Sequence, residues 1–79
     1  MNQTKTNQIR ELLAGVLRVD LADVPADLQF GDLPQWDSMG HMEVMVALEK
    51  EFGVEVNADT ITELVSIPAI SAYLEAGNA

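Results

Sequence analysis

The chain has 79 residues, which is enough for one small domain whose single core is only marginally large. Hydrophobic residues make up 48% of the sequence, so a core can form without metal ions or disulfides. The absence of cysteine excludes disulfide frameworks, thiol catalysis and the usual zinc sites.

The chain is acidic, with a formal charge of −9 that is unevenly distributed. Residues 1–19 hold three bases and one acid, whereas residues 20–79 hold twelve acids and one base. Such a surface repels nucleic acid and anionic lipid and attracts basic protein surfaces, although acidity is also typical of solubility alone. No apolar run approaches the roughly 18 residues of a membrane span, and the first residues contain no apolar signal core. We therefore expect a cytoplasmic monomer that binds neither nucleic acid nor membrane.

The first part of the chain predicts a helix followed by a long loop. The helix covers residues 4–18, and its apolar stripe consists of Ile9, Leu12, Leu13, Val16 and Leu17. Residues 19–37 have no sustained period and contain two prolines and a glycine, which is typical of a long loop. Five spaced apolar residues predict that this loop is ordered, with a short turn near residues 21–24: Leu21, Val24, Leu28, Phe30 and Leu33.

The second part predicts three more helices. The second helix covers residues 38–52 and ends at Gly53. A short third helix covers about residues 58–64 after a cap at Asn57, and Ser66 caps a fourth helix that Gly77 ends. The predicted fold is an all-α four-helix bundle with three longer helices, one short third helix and a long ordered loop between the first two. Residues 1–79 form a single domain.

The second helix has two apolar faces of different character. At 100° per residue, one face carries His41, Val44, Met45, Leu48 and Phe52, and we expect this face to lie on the core. The other face carries Met39, Met42 and Val46 among Glu43, Glu49 and Lys50. Either the helix is buried on more than one side, or this second face is a docking surface. Adaptable methionines and flanking acids suit successive basic partners.

Ser38 lies where the loop meets the second helix, and three interpretations follow from that position. Ser38 or Asp37 can cap the helix. A catalytic serine is disfavoured because the only histidine, His41, turns toward the core and no G-x-S-x-G elbow is present. A covalent attachment site is chemically reasonable, because a phosphate ester on Ser38 would lie at the helix N-terminus, where an anion is favoured.

From Val24 to Leu74 the sequence resembles the acyl carrier proteins of fatty-acid and polyketide synthesis. Asp37-Ser38-Met39 stands where that family has Asp-Ser-Leu, and residues 42–56 follow the family's second helix and the link after it without a gap. Phe30 and the pair Asp32-Leu33 match the loop before the serine. Residues 67–74 match the last helix. The combination is far more specific than Asp-Ser alone.

The resemblance implies a carrier rather than an enzyme. Ser38 would carry 4′-phosphopantetheine, added from coenzyme A by a phosphopantetheinyl transferase that recognises Asp37 at the helix start. The thiol of the arm would hold an acyl or aminoacyl thioester. A loading enzyme and downstream synthase or tailoring enzymes would dock on the second helix, at the positions that match the family's recognition residues: Met39, Met42, Glu43, Val46 and Glu49.

Several residues depart from the family pattern. Trp36 replaces a small residue, Gly40 stands where an acid is common, and Lys50 places a base on the docking face. Trp36 and His41 are possible contacts of the arm, although His41 is also interpretable as a core-edge histidine. These departures resemble carriers of specialised pathways, including aminoacyl carriers of the D-alanyl type.

Two further expectations concern the chain as a whole. Because it begins with Met1 and shows no linker, we expect a free-standing carrier. The alternative from another class is an unmodified acidic helical adaptor. A calcium-binding protein is disfavoured because no D-x-D-x-D-G loop is present.

Overall fold

The computed structural model describes residues 3–77, of which Gln3 is described by its backbone alone. These residues form four helices: α1 (Gln3–Leu17), α2 (Ser38–Phe52), α3 (Ala58–Glu63) and α4 (Ile67–Glu75). A 3₁₀ turn covers Leu21–Asp23 in the long loop. Over the described residues there is no strand, only an isolated antiparallel bridge between Gln29 and Ser66. The all-α prediction is confirmed, and so is the short turn within the loop.

The predicted helix boundaries agree with the observed ones to within one residue. α2 begins and ends where the sequence predicts, because Asp37 caps its start and Gly53 adopts the left-handed conformation at its end (φ 73°). α1 begins and ends one residue earlier than predicted, and α3 ends at Glu63. None of the described helices is long and apolar enough to cross a membrane.

One core joins the helices and the loop. α1 packs against both α2 and α4. The core contains three residues of α1, three of the loop, three of α2, the link residue Val54, and three residues from Leu64 onward: Ile9, Leu13, Leu17, Val24, Leu28, Trp36, Val44, Met45, Leu48, Leu64, Ile67 and Ile70. Two residues of the predicted α1 stripe, Leu12 and Val16, are only half-buried.

Phe52 corrects one prediction for the core face of α2. Its ring is half-buried at the helix end and packs against the core rather than within it. The Lys5 ammonium lies 5.1 Å from the centre of the ring, which is cation–π distance. The helical wheel placed Phe52 on the correct face, but at the last position of α2 the ring is only partly covered.

Hydrogen bonds hold the long loop against the bundle. The Arg10 Nε–H donates to the Val24 carbonyl oxygen at 2.6 Å, and a second guanidinium nitrogen donates to the Leu21 carbonyl at 3.4 Å. The Phe30 N–H donates to the Val65 carbonyl oxygen at 2.8 Å, and the Leu28 carbonyl accepts from Ile67 at 2.9 Å. These bonds fix the loop to α1 near its start and to residues 65–67 at its middle.

Two residues near the end of α1 are unfavourable for local stability. Gly15 lies inside the helix, where glycine costs about 1 kcal/mol relative to alanine, and a Cβ at this position would meet nothing within 4 Å. Arg18 follows the helix with φ at 61°, a left-handed conformation that costs a non-glycine residue about 1–2 kcal/mol. The protein would be more stable with alanine at position 15 or with glycine at position 18.

Candidate functional site

At the N-terminus of α2, the side chain of Ser38 is not used to cap the helix. Asp37 is extended (φ −101°, ψ −165°), and its Oδ1 accepts the Gly40 N–H at 2.9 Å. Asp37 is therefore the cap, whereas the sequence left that role open between Asp37 and Ser38. Ser38 is the first residue of the helix and is exposed, and its hydroxyl makes no hydrogen bond to any described residue.

The same helix end can receive an anion. Asp37 takes up two N–H groups of the first turn, with its side chain accepting from Gly40 and its carbonyl oxygen from His41 at 2.7 Å. The N–H groups of Ser38 and Met39 find no acceptor among residues 3–77. These two groups and the helix dipole favour a phosphate esterified to Ser38, so the residues present fit a phosphopantetheine group.

Gly40 lets the loop approach the first turn of α2. A Cβ at this position would fall inside contact distance of the Gln35 carbonyl oxygen and 3.3 Å from Leu17 Cδ2. Only glycine therefore fits while the loop keeps its path. The loop turns immediately before the serine, where the Trp36 N–H donates to the Leu33 carbonyl at 3.0 Å. This close packing sets where the helix starts relative to the loop.

Trp36 and His41 form a buried chain of hydrogen bonds beneath the serine. Trp36 is fully buried and its Nε1–H donates to His41 Nδ1 at 3.0 Å. His41 is 5% exposed, and its Nε2 lies 2.7 Å from the Ile61 carbonyl oxygen. Because the indole nitrogen only donates, Nδ1 must accept, so the proton of the neutral ring is on Nε2 and donates to Ile61. The chain therefore ties the loop, α2 and α3 together.

This geometry predicts the tautomer of His41. We expect neutral His41 to be the Nε2–H tautomer, because both partners of the ring require it. Long-range ¹H–¹⁵N correlation spectra of the labelled protein at neutral pH distinguish a protonated from an unprotonated ring nitrogen. An unprotonated Nε2 in such spectra would contradict the hydrogen-bond chain.

The structure favours the core-edge interpretation of His41 and places Trp36 within the core. Both ring nitrogens of His41 and the indole N–H are already paired within the fold. Phe30, which is 42% exposed, packs edge-on against both rings at centroid distances of 6.4 Å and 5.7 Å. A contact of either Trp36 or His41 with the arm stays a prediction, and of the three rings only Phe30 offers substantial exposed surface.

The two faces of α2 are separated as the helical wheel predicts. His41, Val44, Met45 and Leu48 are buried. On the other side, Met39 is 76% exposed, Met42 and Val46 are each 44% exposed, and Glu43 and Glu49 are exposed as well. The alternative that α2 is buried on more than one side is wrong, because these apolar side chains face outward beside Ser38.

Comparison with known proteins identifies the family. A family model described as the phosphopantetheine attachment site matches residues 7–74, which is most of the chain. The chain belongs to the acyl carrier protein family. It is 40% identical over 60 residues to polyketide-8 synthase acyl carrier protein 2 of Streptomyces avermitilis, covering 76% of this chain and 69% of the relative.

Two further relatives are acyl carrier proteins of other bacteria. The Solidesulfovibrio magneticus protein is 29% identical over 68 residues, covering 86% of this chain and 87% of the relative. A Helicobacter pylori protein is 31% identical over 67 residues, covering 85% and 86%. Both alignments extend over nearly all of the bundle.

Family membership establishes the chemistry of this carrier protein in outline. Acyl carrier proteins carry a covalently attached 4′-phosphopantetheine and are carriers rather than catalysts. Their general partners are phosphopantetheinyl transferases and synthase enzymes. When bound, the group supplies a thiol that holds cargo as a thioester, while the chain itself provides the attachment point, the helix N-terminus and the surface around it.

The sequence did not predict that Trp36 is a core residue. Its neighbours Pro34, Gln35 and Asp37 are exposed, and the loop has no period that would place the indole inside. The only available signal was the pairing of one tryptophan with one histidine five residues later, across a helix start. That spacing acquires meaning only when the loop turns back toward α2.

Proposed function

We propose that Ser38 is the residue to which 4′-phosphopantetheine is attached. The proposal rests on one observation at the start of α2. Asp37 caps the helix, which leaves the adjacent Ser38 hydroxyl exposed and without a partner among the described residues. Ser38 lies inside the segment that matches the phosphopantetheine attachment family. The transferase can also recognise Asp37, which directly precedes Ser38.

The hydroxyl groups of the other two serines each have a partner within the fold. The Ser66 hydroxyl oxygen accepts the Ala69 N–H at 3.1 Å and caps α4. The Ser71 hydroxyl donates to Glu75 at 3.5 Å on the surface of the same helix. Only Ser38 combines exposure, a helix N-terminus and the neighbouring docking face, which supports its assignment over the other two.

The attachment site has a direct test. We expect the unmodified protein, incubated with coenzyme A and a broad-specificity phosphopantetheinyl transferase, to gain the mass of one phosphopantetheine group. Ser38→Ala should gain none, while Ser71→Ala, the matched control, should be modified like the parent. Modification of Ser38→Ala to the same extent would contradict the assignment, and no gain by the parent would favour an unmodified adaptor.

The cargo we propose is an acyl group of a polyketide-type pathway. Support comes from the 40% identity to a carrier named for a polyketide synthase. An aminoacyl cargo is the alternative, and the mass of the thioester recovered from the producing cells distinguishes the two. A loading enzyme and downstream synthase or tailoring enzymes would then use the carrier in turn.

We propose that the exposed face of α2 is the docking surface. Substitutions on this face should then slow transfer of cargo to a partner enzyme while the protein stays folded. Met42→Asp and Glu43→Lys should each slow transfer to a partner enzyme, because one removes an apolar contact and the other repels basic partners. Both side chains are exposed, so the free energy of unfolding should change by about 0.5 kcal/mol or less. Glu63→Lys, an exposed acid-to-base change on α3, is the control. Equal slowing by Glu63→Lys would attribute the effect to net charge.

A further inference from the structure

Three of the four methionines of the chain lie on α2, and they differ sharply in exposure. Met39 is 76% exposed and Met42 is 44% exposed, whereas Met45 is completely buried. The chain contains no cysteine, so thioethers are the only sulfur groups of the unmodified protein. The same helix therefore offers two thioether side chains to solvent and holds a third in the core.

The two exposed methionines lie where partners would approach the attachment serine. Met39 directly follows Ser38 and lines a surface cavity of about 350 Å³ together with Asp37. Met42 lines the neighbouring cavity, and Glu43 lines both. Both methionines belong to the docking surface proposed above, to which they contribute apolar and adaptable contacts. A chemical change at either sulfur would therefore alter this surface and leave the serine intact.

Oxidation by a peroxide is a change that exposed thioethers undergo. The sulfur attacks one oxygen of hydrogen peroxide, so that an S–O bond forms and the O–O bond breaks. Two electrons pass from the sulfur to the peroxide, and the second oxygen leaves with both protons as water. The sulfoxide that results is polar, whereas the thioether is apolar. Burying the sulfoxide oxygen in an apolar contact without a hydrogen bond is unfavourable.

We propose that Met39 and Met42 form a reversible oxidation site that controls the binding of partner enzymes to α2. Partners bind the thioether form, and they bind the sulfoxide form weakly. Oxidation at these two positions leaves the fold unchanged because both side chains are exposed, whereas oxidation of Met45 would place a polar oxygen in the core. The proposal rests on the proposed docking surface and adds a state in which that surface is inactive.

Limited treatment of the unmodified protein with hydrogen peroxide tests the site itself. This form lacks the thiol of the arm, which would also react with peroxide. Trypsin releases residues 19–50 as one peptide that contains all three methionines of α2, and fragmentation of this peptide locates each added oxygen. We expect Met39 and Met42 to be oxidised at least about tenfold faster than Met45, with an unchanged circular dichroism spectrum. Equal rates at the three positions would overturn the proposal.

The effect on binding is measured as the rate at which a phosphopantetheinyl transferase modifies the protein after the peroxide has been removed. We expect the oxidised protein to be modified at least about fivefold more slowly than the untreated protein. A methionine sulfoxide reductase with a thiol reductant should restore the rate, because it returns the sulfoxides to thioethers. An unchanged rate after oxidation, or a lower rate that the reductase does not restore, would overturn the proposal.

Variants make the result specific to the two exposed sulfurs. Combining Met39→Leu with Met42→Leu keeps an apolar face without sulfur, so the ratio of treated to untreated rates should rise to about one. Met45→Leu is the matched control and should stay sensitive to peroxide. Sensitivity that persists in the double variant would contradict the proposal. If the untreated protein gains no arm, the assignment of Ser38 fails, whereas the mapping of the added oxygens still decides the oxidation site.

The docking surface and its oxidation fail separately. If Met42→Asp slows transfer but oxidation does not, the docking surface stands and the oxidation site is wrong.

Discussion

Trp36→Ala is expected to lower the free energy of unfolding by about 3–5 kcal/mol, a large fraction of the stability of a domain of this size. The substitution removes a fully buried indole and leaves His41 Nδ1 without its donor in the core. It also removes the ring against which Phe30 packs. Urea unfolding followed by circular dichroism measures the loss.

Two controls separate packing from hydrogen bonding at Trp36. Trp36→Phe keeps an aromatic ring but cannot donate to His41, so its cost should lie between zero and that of Trp36→Ala. Phe52→Ala removes an aromatic ring that is only half-buried, so it should cost clearly less. If Trp36→Ala costs no more than Phe52→Ala, the buried indole does not contribute to stability as its burial predicts.

Gly40→Ala is expected to destabilise the protein although alanine favours helices. The new Cβ would overlap the Gln35 carbonyl oxygen, so the loop backbone must move. Overpacking of this kind costs about 1–3 kcal/mol and should outweigh the gain of about 1 kcal/mol from helix propensity. Because the displaced loop ends at Ser38, modification by the transferase should also slow.

Gly15→Ala is the matched control for Gly40→Ala, since the same change is made inside another helix. A Cβ at position 15 meets nothing within 4 Å, so the protein should gain up to about 1 kcal/mol and be modified at the parental rate. Opposite signs of the two effects, measured by thermal unfolding, are the expected result. A stabilising Gly40→Ala would show that the loop does not depend on close approach to α2.

Helix positions were predictable because their signals are local. Three helices are capped by a side chain that accepts a hydrogen bond from the backbone N–H three residues later, and the capping residues are Asp37, Asn57 and Ser66. Gly53, in the left-handed conformation, ends α2. These interactions involve neighbours in sequence, so spacing alone indicates them. The same holds for the faces of α2, since a period of 3.6 residues places Met42 and Val46 opposite the core.

The interior of the loop was not predictable in the same way. Trp36 packs against Phe30 and donates to His41, and His41 is in turn paired with the carbonyl of Ile61 in α3, so three segments of the chain are involved. No periodic pattern records such a convergence.

The attachment of phosphopantetheine to Ser38 is most directly tested by the mass of one tryptic peptide from protein purified from the producing cells. Cleavage after Arg18 and Lys50 releases residues 19–50, in which Ser38 is the only hydroxyl-bearing side chain. The other two serines lie in a separate peptide, residues 51–79. We predict that peptide 19–50 carries one phosphopantetheine group, with or without cargo, and that peptide 51–79 is unmodified. Phosphopantetheine on peptide 51–79, or its absence from both peptides, would contradict the assignment of Ser38.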